Sequence, residues 1–154
     1  MNARGLAGLH RRLEALLERG HDVPMLLTRI VLGHAFVLTG LGKLKNLDGV
    51  TEFFGNLGIP FPGLNAAFVA GLEFLGGFLL IAGLLTRVTS LLLIATLVVA
   101  LMTADRAAFI GGLALRPDNG LMDLPAFVYL LFLAWLAHFG PGAVSIDRRF
   151  LGAK

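Results

Sequence analysis

VTSLLLIATLVVALMTA, residues 88–104, carries no ionisable side chain. In a water-soluble protein such a run is a single buried helix, covered by polar-faced neighbours. Here the neighbours are equally apolar. The run extends over roughly 88–110, and others lie at 23–44, 64–85 and 121–140. Each is close to the ~20 residues that a bilayer crossing requires. Hydrophobic residues make up 56 % of the chain and charged residues 15 %, against roughly 45–50 % and 25 % in an ordinary soluble domain. Too little polar surface remains to clothe four such helices in water. The expected fold is therefore an all-α integral membrane protein, with a bundle of four transmembrane helices over residues 23–144.

The flanks set the expected orientation. A cytoplasmic N-terminus puts Arg4, Arg11, Arg12, Arg19, Arg87, Arg148, Arg149 and Lys154 on the inner side. Only Lys43, Lys45, Arg106 and Arg116 then lie on the outer side. Positive charge concentrates on cytoplasmic flanks, so both termini are expected in the cytoplasm, with residues 145–154 as a tail. Over residues 1–22, Leu6, Leu9, Leu13, Leu16 and Leu17 recur at helical spacing, while Arg11, Arg12, Glu14, Glu18 and Arg19 avoid that stripe. This pattern predicts an amphipathic helix, lying on the cytoplasmic membrane surface or packed on the inner end of the bundle. No cleavable signal peptide is expected, because no short apolar segment precedes a small-residue cleavage site. The pI near 10.0 comes from these flanks and implies no nucleic acid partner. The chain has no cysteine, so disulfides and thiolate chemistry are excluded.

Within the apolar runs a few ionisable side chains stand out. GLEFLGGFLLIAG, residues 71–83, surrounds Glu73 with nothing but apolar residues and glycine. An ionised group at mid-membrane costs about 2.5–3.5 kcal/mol on insertion scales, so such groups face the bundle interior and have partners. Arg29, Gly33, Phe36, Gly40 and Lys43 share one helical face of the first run, and Ala66, Ala70, Glu73, Gly77 and Leu84 share one face of the second. These small-residue stripes allow close helix approach. Depth and phase lead to an expected Arg29–Glu73 pair, direct or through water. Lys43 lies near the outer interface, where it can contribute to the site or snorkel to water. His34 is off the stripe and Asp105 closes the third run; both are further contributors to consider. Gly33, Gly40, Gly76 and Gly77 are the expected helix-packing positions. No paired-histidine motif is present and no metal site is expected.

RIVLGHAFVLTGLGKL (29–44), GIPFP (58–62), GLEFLGGFLLIAGLLTR (71–87) and FGPGAVSIDRR (139–149) together resemble the DoxX family of small bacterial membrane proteins. The similarity runs over roughly residues 25–150. TADRAAF (103–109) departs from the His-containing segment found there in many members. The resemblance implies a four-helix fold in the bacterial cytoplasmic (inner) membrane, with Arg29, Lys43 and Glu73 as functional positions. It does not imply one activity. The family takes its name from similarity to a subunit of an archaeal thiosulfate:quinone oxidoreductase. Other members accompany oxidative-stress or detoxification systems, and distant eukaryotic relatives are similar to cargo receptors and assembly chaperones.

Two functions follow. The first is a membrane subunit or accessory of a redox or stress-response system. It would bind a lipophilic small molecule, with quinone as the leading cofactor, near the intramembrane charges and work with a redox protein partner. The second is a non-enzymatic scaffold, chaperone or small-solute carrier. Four helices can close a bundle alone, and glycine-rich faces also permit pairing, so both monomer and homodimer are allowed.

Overall fold

The computed structural model describes residues 22–116 and 120–152. The amphipathic helix expected over 1–22 lies outside the described residues apart from Asp22, as do residues 153–154 of the tail. All regular elements among the described residues are helical; none is a strand. In chain order they are α1 (Asp22–Lys45), α2 (Leu47–Asn56), α3 (Pro62–Ala82), α4 (Thr86–Met102) and α5 (Arg106–Leu113). A single 3-10 turn (Leu121–Asp123), α6 (Pro125–Phe139) and α7 (Ile146–Leu151) complete the chain.

Among the described residues, only α1 and α3 are continuous helices long and apolar enough to cross a bilayer, at 24 and 21 residues. The continuous span expected over 88–110 is instead two helices. The chain bends by 89° between α4 and α5. Thr103, Asp105 and Arg106 arrive together at the bend, and the backbone leaves helical geometry at Thr103, with φ −115° and ψ −82°. Thr103 Oγ1 turns back to donate to the Val99 carbonyl at 2.7 Å. The span expected over 121–140 contracts to the 15 residues of α6. Pro125 opens that helix, with Leu124 held extended before it. Gly140 closes it at a φ of 84°. At 1.5 Å per residue α6 is ~22 Å long, short of a ~30 Å hydrocarbon core. Among the described residues two helices, or three spans if α4 and α5 form one broken span, therefore meet the length requirement.

Packing explains why α1 and α3 hold these positions. α1 lies along α3, α6 lies along α4, and α3 meets α4 between the two pairs. The α1–α3 seam is glycine-lined. A Cβ on Gly33 would stand 2.6 Å from the Gly77 carbonyl oxygen, and one on Gly77 would stand 2.6 Å from that of Gly33. Gly40 meets the backbone of Phe74 and Ala70 as closely. The two helices are thus in backbone contact, which glycine alone permits. Gly76 faces the other way, towards Thr89 and Leu93 of α4. Met25, Leu32, Phe36, Leu80, Leu93 and Leu133 form the common core. The Phe36 and Tyr129 rings meet at 5.8 Å and tie α1 to α6. Many large apolar side chains point outward, among them Val31, Leu64, Leu75 and Leu91, each more than half exposed. That is the surface a lipid environment requires.

Candidate functional site

Side chains on an α-helix lean back towards the helix N-terminus. α1 and α3 run antiparallel, so their long side chains lean in opposite directions. Lys43, two residues from the end of α1, leans inward along the seam. Glu73, in the middle of α3, leans outward towards Pro62. The two meet: Lys43 Nζ donates to Glu73 Oε2 in a salt bridge. The Glu73 side chain is 7 % exposed and that of Lys43 29 %. The carboxylate is thus enclosed while the ammonium retains some contact with the surroundings.

The same geometry carries Arg29 away from Glu73. Arg29 lies near the start of α1, and its side chain leans towards the Asp22 end. It is 1 % exposed. Its guanidinium donates to the Pro141 carbonyl through Nη1 and to the Val144 carbonyl through Nη2, the latter at 2.7 Å. Two carbonyls held by one planar fork suit arginine's fixed donor geometry. Arg29 therefore organises the loop after α6, and the charge partner of Glu73 is Lys43.

Asp147 completes that second polar cluster. Its Oδ1 accepts from Leu85 N at 2.7 Å and its Oδ2 from Thr86 N at 2.9 Å. These are among the first N–H groups of α4, which lack partners within the helix. Leu85 itself sits in the left-handed region at a φ of 51°, so the remote carboxylate also holds a strained turn. Asp147 N returns the contact by donating to the Gly83 carbonyl at 2.9 Å. Gly83 has a φ of 68°, and a Cβ there would run into the Arg29 guanidinium.

The Lys43–Glu73 pair lies at the wall of a cavity of about 330 Å³. Its other walls are mostly apolar. Phe53, Phe54 and Leu57 come from α2 and the residue that follows it, Phe68 and Leu72 from α3, and Leu97 from α4. Asn65, Thr96 and Thr103 add a few polar atoms. Apolar walls with a small number of placed polar groups are the usual composition of a small-molecule site, and this volume lies at the lower end of the usual range. His34 is exposed on the outer face of α1, away from the seam, and Asp105 is half-buried at the α4–α5 bend. Neither lines this cavity.

Two contributors lay outside the residue-by-residue reading. Residues 45–63 are expected as a connection, yet Leu47–Asn56 is helical. Leu47, Val50 and Phe54, with Leu57 just after it, are half-buried apolar positions, spaced as one helical face, and that periodicity is the available signal. Asp147 appears in the sequence only as part of the Ser-x-Asp-Arg resemblance. No local pattern links it to Leu85 and Thr86.

Comparison with known proteins agrees with this architecture. The family model described as DoxX matches residues 25–106, which include α1 from Met25 onward, all of α3 and the whole cavity wall. The “Inner membrane protein YqjF” of Escherichia coli is 33 % identical over 134 residues, covering 86 % of this chain and 95 % of that protein. Its “Inner membrane protein YphA” is 29 % identical over 127 residues, covering 82 % and 90 %. The “Putative oxidoreductase CatD” of Bacillus subtilis is 33 % identical over 96 residues, covering 62 % and 70 %. No solved structure matches. With its glycine-lined α1–α3 seam, its half-buried Lys43–Glu73 pair and a family match over more than half its length, this membrane protein belongs to the DoxX family.

Proposed function

We propose that this protein is the membrane subunit or accessory of a bacterial redox or stress-response system, and that it holds a quinone-class lipophilic molecule in the cavity beside Lys43 and Glu73. One observation carries this reading: a half-buried ion pair, its carboxylate enclosed, stands at the wall of an otherwise apolar cavity. The residues fit such a guest. Apolar walls accept a substituted ring and the start of its tail, and the Lys43 ammonium can donate to a ring carbonyl. Glu73 keeps that ammonium in place. When bound, the quinone supplies the electron-accepting chemistry, and a partner redox protein supplies the electrons. The Bacillus subtilis relative bears an oxidoreductase name, and this chain is similar to it over 96 residues.

In this reading α1, α3, α4 and α6 all cross the bacterial inner membrane, the membrane named for both Escherichia coli relatives. Both termini are cytoplasmic, in keeping with the distribution of basic flanks. α2 and the α4–α5 bend then lie towards the outer side, where they cover the cavity.

The test is extraction of the protein purified in mild detergent, followed by mass spectrometry for quinone, with wild type beside a folded Glu73→Gln variant. Stoichiometric quinone in wild type that is lost from the variant is the expected result. Wild-type protein free of quinone, from cells rich in it, would overturn the reading in favour of a scaffold or carrier.

A further inference from the structure

The opposite end of the molecule holds a second, larger recess that the proposed function does not use. It has a volume of about 640 Å³. It lies between the last turn of α3, at Ile81 and Ala82, and the segment running from Ala143 into α7. Among the described residues three arginines line it, Arg29, Arg148 and Arg149, and no carboxylate does. The two acidic groups nearby are already engaged. Asp147 accepts from Leu85 and Thr86. Asp22 accepts from Ala143 N at 2.6 Å and stands 3.8 Å from Arg148. Arg29 is fully buried, and its Nε has no hydrogen-bond partner.

The height of this recess matters as much as its charge. It sits where α3, a helix long and apolar enough to cross a bilayer, terminates at Gly83, and the end of such a span lies at the level of lipid headgroups. Apolar side chains flank the arginines. Phe150 is 75 % exposed and Val144 61 %, and the Arg149 guanidinium lies 6.0 Å from the Phe150 ring centroid. Basic groups beside outward apolar ones, at the end of a crossing helix, match a phosphate attached to acyl chains. A free anion would have no use for the apolar part.

We infer that this recess binds the headgroup phosphate of an anionic phospholipid, with Arg148 and Arg149 as its contacts and with Val144 and Phe150 against the acyl chains. Arg29 adds positive charge from beneath while keeping its own hydrogen bonds to the loop. The site is independent of the Lys43–Glu73 cavity and stands whatever that cavity binds.

Native mass spectrometry on delipidated protein tests this, with phosphatidylglycerol and phosphatidylcholine offered in equal amounts. Wild type should retain phosphatidylglycerol preferentially. In the Arg148→Gln/Arg149→Gln variant the preference should fall by about fivefold for each arginine removed, since each contributes ~1 kcal/mol at a lipid surface. Both side chains are exposed, so the fold should survive. Arg106→Gln/Arg116→Gln removes the same charge from exposed positions elsewhere and should leave the preference intact. Equal retention of the two lipids by wild type would overturn the inference. So would a preference that persists in the Arg148/Arg149 variant, or one that falls as far in the Arg106/Arg116 variant. Displacement of the lipid by millimolar soluble glycerol phosphate would overturn the lipid assignment in favour of a free-anion site.

Discussion

Lys43 and Glu73 form an ion pair across the α1–α3 seam because the two helices are antiparallel and their side chains lean towards each other. Removal of one partner leaves the other uncompensated. Lys43→Met should destabilise the protein by about 1–3 kcal/mol, below the full cost of breaking a buried pair because Lys43 is partly exposed. Lys43→Met/Glu73→Leu should recover most of that loss, as apolar replacement of buried pairs often does. Thermal unfolding in detergent checks the stability. Quinone should stay absent from the double variant even where stability returns, which separates a binding role for the pair from a packing role.

Gly77 and Gly42 should respond oppositely to the same substitution. At Gly77 an added methyl would lie 2.6 Å from the Gly33 carbonyl oxygen and 2.7 Å from Val37 N. Gly77→Ala should therefore separate α1 from α3 and cost about 1–3 kcal/mol. Gly42 has nothing within 4 Å of its would-be Cβ. Gly42→Ala should be neutral or stabilising by up to about 1 kcal/mol, the helix-propensity difference. Melting curves of the two variants side by side decide the matter.

Asp147→Ala should cost about 2–4 kcal/mol, because two charge-assisted hydrogen bonds are lost and Thr86 N is left buried without a partner. Asp147→Asn keeps one acceptor oxygen and should cost roughly half as much. Amide hydrogen exchange should rise first at Leu85 and Thr86, then along the first turn of α4.

Arg29→Lys should behave nearly as badly as Arg29→Met. A single ammonium lacks the fork that serves the Pro141 and Val144 carbonyls together. Each variant should lose about 1–3 kcal/mol and show raised hydrogen exchange over residues 140–147. Quinone binding at the distant Lys43–Glu73 pair should persist in any folded fraction.

The legible and illegible parts of the site divide along physical lines. Hydrophobic run length located α1 and α3 closely, and the 3.6-residue period put Gly33, Gly40 and Lys43 on one face. That period does not encode which way a long side chain leans. Depth reckoned from Cα positions leaves Arg29 and Glu73 offset along the bundle but within reach of a long arginine side chain. The lean of Arg29 towards Asp22, and of Lys43 towards Glu73, reverses the pairing. Run length also misled at residues 88–110, because an apolar count does not register a turn at Thr103. Asp147 was beyond local reasoning, since its partners lie 61 and 62 residues away.

The shortness of α6 has a mechanical consequence. α1 is 24 residues long and α6 is 15, lengths of ~36 Å and ~22 Å. If both helices cross the bilayer, as proposed above, the molecule offers lipid a tall side and a low side. Acyl chains beside α6 must shorten or tilt to meet it, at a cost of fractions of a kcal/mol per ångström. That cost falls when a second low surface lies alongside. In the proposed four-span arrangement the protein would therefore be a wedge in membrane thickness, and its α6 side the place where the bilayer itself favours a neighbour.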